Sequence, residues 1–279
     1  RFRAPRLAAG LVAGAGLGVA GAVLQRLVRN PLASPDIVGI TGGASFAAVA
    51  VIASGASAAV TPLATLGGGL GAAALLGALA WRGGIHPGRL VLVGLAVQAG
   101  LSAAVNLIIV RFPAELASAA LQWTTGSLYG RDWTEVGVAG SAILAVLAIA
   151  CVNHRRLSVL DLGDDAAAAL GARPPLARAQ LLVVAVLLAS LAVALTGPVA
   201  FVALAVPHLV RLLGGPPSTG TLALTALYGA LLLSASDLVV QHAFAADGLP
   251  VGAITATLGA PWLLALLIRQ SRSTVRTTS

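Results

Sequence analysis

Nine long apolar runs constrain this chain more than any other feature. They lie at roughly 7–25, 37–54, 60–80, 90–110, 136–152, 180–196, 199–213, 220–241 and 251–268. A helix needs about 20 apolar residues to cross the hydrocarbon of a bilayer. The runs are continuous and do not alternate with period two, so they read as helices rather than barrel strands. Composition points the same way. Hydrophobic residues make up 58% of the 279, and only 9% are charged, against about 25% in a soluble domain. Such a chain cannot coat a soluble fold, which excludes a cytosolic enzyme, a disordered protein and a nucleic-acid-binding domain. The sequence predicts an all-α, polytopic transmembrane bundle with nine spans, forming one domain over 1–279.

The division between runs 180–196 and 199–213 rests on Thr196-Gly197-Pro198 alone, read as a tight turn or as a kink in one long helix. Arginine sets the orientation. All 17 basic residues are Arg. One side of the membrane would hold Arg1, Arg3, Arg6, Arg111 and Arg131. The other would hold Arg26, Arg29, Arg82, Arg89, Arg155, Arg156, Arg173, Arg178, Arg211, Arg269, Arg272 and Arg276. The richer side is cytoplasmic by the positive-inside tendency. The first residue is then outside. Residues 1–6 carry no signal-peptide pattern, so a preceding span is expected to be missing. The single Cys151 permits no intrachain disulfide.

Within the spans, Gly10, Gly14 and Gly18 are spaced for close helix packing, and Gly67 and Gly71 repeat that spacing. Asp237 is the acidic residue well inside a span, a functional candidate by default; a structural partner such as Ser234 or a neighbouring helix end is the plainer reading. Gln98, Ser102 and Asn106 recur at i, i+4 and i+8 on one face of an apolar helix, read as a wetted face in preference to interhelical hydrogen bonding. The loop around Asn30-Pro31-Leu32 is stiffened by Pro31 and Pro35. Residues 158–173 read as one short cytoplasmic helix with Asp161, Asp164 and Asp165 at its N-terminus, closed by Gly171 and stopped by Pro174-Pro175. Residues 111–135 are too polar to span and suit an external surface helix, with Trp123, Tyr129 and Trp133 at the interface.

Five segments stand in order: GAVLQRLVRNPLASPDIVGITGGASF, LQWTTGSLYGRDW, LDLGDDAAAALG, GPVAFVALAVPHLVRLL and GLPVGAITATLGAPWLLALLIR. Together they resemble the FecCD family, the permeases of type II ATP-binding-cassette importers for iron-siderophores, haem and cobalamin. The likeness runs from Arg3 to about Arg269 and covers family helices two to ten of ten, which matches the expectation of a missing first span.

The resemblance implies site residues. Arg3-Ala4-Pro5-Arg6 matches an element whose arginines dock acidic residues of an external substrate-binding protein. The position of a further docking arginine, four residues after Asp237, is Gln241 here, with His242 beside it. Asn30 and Leu32 match a cytoplasmic gate, whose second part falls on His86, Pro87 and Gly88. The translocation path would lie between two permease copies and be lined by Gln98, Ser102 and Asn106. The segment Leu162, Gly163, Asp164, Asp165, Leu170 and Gly171, with Arg173 beside it, matches a coupling helix that seats in an ATPase. Pro207, His208 and Arg211 match a family pattern, with His208 read as a satisfied helix-end residue.

The function expected is therefore a non-enzymatic permease subunit carrying an iron-siderophore-type chelate across the bacterial inner membrane. Its partners would be a second permease, identical or paralogous, two ATPase subunits, the binding protein and lipid, with no nucleic acid. The chain would not hydrolyse ATP through a P-loop, which needs a lysine where none is present; His86, His154 and His242 show no metal-ligand spacing, so no cofactor or resident metal is expected, and ATP and Mg would sit on the partner ATPase. Haem or cobalamin stands as alternative cargo. An ion-coupled secondary transporter stands as an alternative mechanism, disfavoured by the shortage of membrane carboxylates. A membrane-embedded enzyme would need a nucleophile or metal cluster, and no such pattern is visible.

Overall fold

The computed structural model describes residues 3–80, 87–213, 218–243, 250–261 and 264; Arg1, Arg82, His86, the last run beyond 264 and the tail arginines lie outside them. Among the described residues every regular element is helical. In chain order these are α1 (Arg3–Val28), α2 (Ile40–Ala53), α3 (Thr61–Ala80), α4 (Pro87–Arg111), α5 (Ala114–Thr124) and α6 (Trp133–Val152). They continue with α7 (His154–Asp161), α8 (Asp164–Ala169), α9 (Pro174–Thr196), α10 (Val202–Leu212), α11 (Thr219–Ala243) and α12 (Val251–Pro261).

Among the described residues six helices, α1, α3, α4, α6, α9 and α11, are long and apolar enough to cross a membrane, while α2 and α10 are shorter apolar helices and α12 is described as far as Pro261. Six of the nine runs thus correspond to long helices and two, the second and the seventh, to shorter ones, while the ninth lies partly outside the described residues. The second run shows why. Its first residues are not helical: Ile40 N–H closes a wide turn onto the Pro35 carbonyl, and Gly39 sits at φ +86°. That leaves α2 with 14 residues, about 21 Å at the α-helical rise. The turn is seated against the middle of α4, because Gly94 leaves room there for Val38. Irregular backbone at that depth is tolerated where protein covers it, and Ala33, Ser34, Val38 and Gly39 are all buried.

Helix α1 runs through the centre, packed by α11, α9, α10 and α6. It is apolar on all sides, the pattern of a fully surrounded helix. Its glycines permit the approach: a Cβ at Gly14 would overlap the Gly229 carbonyl oxygen, and one at Gly18 would stand 2.8 Å from the Thr225 carbonyl oxygen. Gly67 and Gly71 do not repeat this. Neither has a neighbour within 4 Å of its would-be Cβ, and Gly68 is the residue that meets Gly43 of α2. The α9–α10 junction is a break rather than a kink, with Gly197 at φ +71° and Phe201 at φ +68°. Leu17, Leu24, Ile40, Leu76, Ile143, Leu188 and Leu195 fill the core around α1.

The segment expected as one short helix is two. Helix α7 ends at Asp161, Gly163 turns at φ +104°, and α8 begins at Asp164. Asp161 is therefore the last residue of α7, not part of the α8 cap, while Asp164 and Asp165 do occupy the first turn of α8. Gly171 closes α8 at φ +80°, and Pro174 opens α9.

Candidate functional site

Three places on the bundle carry chemistry: a cavity beside α4, the α7–α8 end, and the opposite end where α1 begins.

The cavity has a volume of about 460 Å³ and is bordered by the α1–α2 loop, α2, α4, α5, the α9–α10 junction and α12. The i, i+4, i+8 stripe of α4 faces it: Gln98, Ser102 and Asn106 all line the space, with Thr41 and Ser45 of α2 and Thr124 and Thr125 at the end of α5. Gln98 Nε2 donates to Ser102 Oγ at 3.2 Å. Gln98 Oε1 is buried without a protein partner, pressed where Gly42 has no side chain. An unpaired buried acceptor is costly, so Gln98 Oε1 is the unsatisfied group of this wall.

Sequence reasoning passed over Asp36. It lines the same cavity from the α1–α2 loop. Thr41 of α2 lines the space with it. An acid next to Pro35 at the head of an apolar run was the available signal, but nothing local in the chain says that it faces a cavity.

At the α1 start, Arg6 is held inside the molecule. Its Nε donates to Asp237 Oδ1 at 3.1 Å and Oδ2 at 2.8 Å, and its Nη2 to Oδ1 at 2.7 Å. The Asp237 side chain is 5% exposed. Gln241 Nε2 donates to the same carboxylate at 2.7 Å, and His242 Nδ1 meets the Leu238 carbonyl at 2.9 Å. Of the two arginines expected to face a docking partner, Arg3 is exposed and Arg6 is committed to Asp237. The partner of Asp237 is thus Arg6 of α1 rather than Ser234. Beside this end, Trp123, Tyr129 and Arg131 border a smaller cavity of about 250 Å³ with Thr196 and Gly197.

At the other end, Asn30 Oδ1 accepts from Leu32 N–H at 2.9 Å and so shapes the turn after α1. Pro87 and Gly88 open α4; Gly88 has open space around it. Leu162 and Leu170 flank α8 at 63% and 65% exposure, with Asp165 and Arg173 exposed beside them. Asp164 instead points home, into the guanidinium of Arg178 at 2.8 and 2.5 Å. At α10, Arg211 donates to His208 Nδ1 at 3.2 Å. No cluster of metal-ligating side chains occurs among the described residues.

The FecCD transport family model matches residues 1–269. The chain belongs to the FecCD transport family. It is 40% identical over 272 residues to the ferric enterobactin transport system permease protein FepG of Escherichia coli (strain K12), covering 97% of this chain and 82% of that protein. It is 38% identical to the Fe(3+)-citrate import system permease protein YfmE of Bacillus subtilis (strain 168), with 98% and 82% covered. It is 40% identical to the Fe(3+) dicitrate transport system permease protein FecD of Escherichia coli, with 96% and 84% covered. Among solved structures, an inward-facing metal-chelate type ABC transporter superposes with a TM-score of 0.89 at 30% identity, over 95% of this chain and 85% of that one. With its six long apolar helices, this FecCD chain is a multi-pass membrane protein.

Proposed function

We propose that this chain is the permease subunit of an ATP-driven importer and that its cargo is a ferric chelate of the siderophore type. The observation that carries the reading is the polar wall of α4, where Gln98, Ser102 and Asn106 share one cavity inside an otherwise apolar bundle. A volume of about 460 Å³ lies in the range of small-molecule sites, roughly 300–1,000 Å³. Two permease copies would close the path between them, each contributing one such wall.

The six long helices would make nine crossings together with α2, α10 and the last run, which begins with α12; loops that enter the membrane would complete α2 and α10. The arginine-rich side, with α7 and α8, would face the cytoplasm. There α8, with Leu162, Gly163, Asp165, Leu170, Gly171 and Arg173, would seat in an ATPase that holds ATP and Mg. The chain itself would bind no cofactor. Arg3 and His242 would meet the binding protein outside, with Arg6 and Gln241 holding Asp237 behind them. The turn at Asn30 and Leu32, with Pro87 and Gly88 of α4, would close the cytoplasmic end. Nucleotide-driven movement of α8 would then open the path alternately to each side.

The test is uptake of a ferric siderophore into proteoliposomes holding the permease with its ATPase, the binding protein supplied outside. Accumulation that requires ATP supports the reading. Uphill uptake by the permease alone would overturn it. A haem or cobalamin cargo would show as the preferred competitor in the same assay.

A further inference from the structure

Two arginines at the end of α1 bind the α7–α8 pair, and they do so at the step before the gate turn. Arg26 Nε and Nη2 donate to Asp161 Oδ2 at 3.0 and 2.5 Å, and Nη2 also reaches Ser158 Oγ at 3.3 Å. Arg29 Nη2 donates to the Leu160 carbonyl at 3.0 Å and lies 3.5 Å from Asp164 Oδ1. Asp164 is in turn gripped by Arg178, whose buried guanidinium roots α8 on α9. One charged chain therefore runs from α1 to α7, α8 and α9.

The backbone at Arg29 is as telling as its side chain. Helix α1 ends in a Schellman closure: Asn30 N–H bonds the Gln25 carbonyl at 3.0 Å and Arg29 N–H the Arg26 carbonyl at 3.1 Å. The residue at the left-handed position of that motif is usually glycine. Here it is arginine, at φ +53°, one of two such non-glycine residues among those described. A strained conformation persists where the surroundings hold it, and the contacts to Leu160 and Asp164 do so. The next residue is Asn30, whose side chain builds the turn at Leu32.

We propose that Arg29, supported by Arg26, is a positioning residue that couples α8 to the turn at Asn30 and Leu32. A displacement of α8 is carried through Leu160 and Asp164 to the guanidinium of Arg29, and from its backbone straight into the turn. Without the clamp, α8 moves while the turn stays. This rests on the reading of α8 as the ATPase dock, so the experiment separates the two.

The complete importer, with ATPase and binding protein, is reconstituted and cargo delivered per ATP is measured with a ferric siderophore. In R29G the glycine takes the left-handed turn without strain, so only the clamp is lost. Cargo per ATP is expected to fall about tenfold, the scale of an intramolecular coupling energy, with the complex still assembled. R29K, a point charge without the fork, is expected to fall between. The pair reversal R26D with D161R, measured against each single change, guards against a fold defect in R29G: recovery of cargo per ATP in the double variant supports the clamp. Wild-type cargo per ATP in R29G would overturn it. A separate arm reads ATPase association in D165R and R173D, which touch the exposed face of α8 and not the clamp. Unchanged association there would remove the dock and the clamp together; impaired association with R29G fully coupled would remove the clamp alone.

Discussion

Arg6 and Asp237 are 231 residues apart and form a nearly ideal bidentate pair with little exposure. Removing one partner of a buried pair leaves the other uncompensated, typically at a cost of about 3–5 kcal/mol. R6A is therefore expected to lower the melting temperature of the detergent-solubilised protein sharply. The double variant R6Q with D237N should recover most of that loss, which a double-mutant cycle reads directly.

Elements differ in what their local pattern discloses. The four-residue glycine spacing of α1 announces close packing, and Gly14 and Gly18 do lie against α11. The same spacing at Gly67 and Gly71 of α3 announces nothing within this chain, because α2 approaches through Gly43 and Gly68 instead. G14L is expected to force α1 and α11 apart, costing at least about 3 kcal/mol as overpacking against backbone that cannot move aside. G67A and G71A should be neutral or mildly stabilising, by up to about 1 kcal/mol of helix propensity each. Thermal unfolding of the three variants side by side checks the contrast. The α7–α8 division shows how a single glycine at φ +104° can split one helical reading into two, leaving Asp161 to pair with Arg26 while Asp164 turns to Arg178.

At the scale of the whole molecule, the bundle sets one polar cavity beside α4 and binds the far end of α1 to α7 and α8. The stripe of Gln98, Ser102 and Asn106 was readable as one face of a helix, since its period is that of a helix. That it opens on a space shared with α2, α5 and α12 was not, since no residue pattern within α4 names its neighbours. Replacing Gln98 and Asn106 together by Leu is expected to reduce ferric-siderophore uptake by at least about tenfold, as lost hydrogen bonds of about 1 kcal/mol each combine with a narrowed cavity. Transport by the reconstituted importer measures it.

By itself the sequence determined that this chain is a helical membrane bundle, roughly where its long apolar helices lie, and which family it resembles. Those properties follow from hydropathy, capping and turn chemistry, which act over a few residues. Only the tertiary structure decided that Arg6 belongs to Asp237, that Asp36 faces the cavity, that the second run starts with a buried turn, and that Arg29 leans on α7 and α8. Each of these joins residues far apart in the chain, and a charged group in an apolar bundle takes whichever partner the packing brings within hydrogen-bond reach.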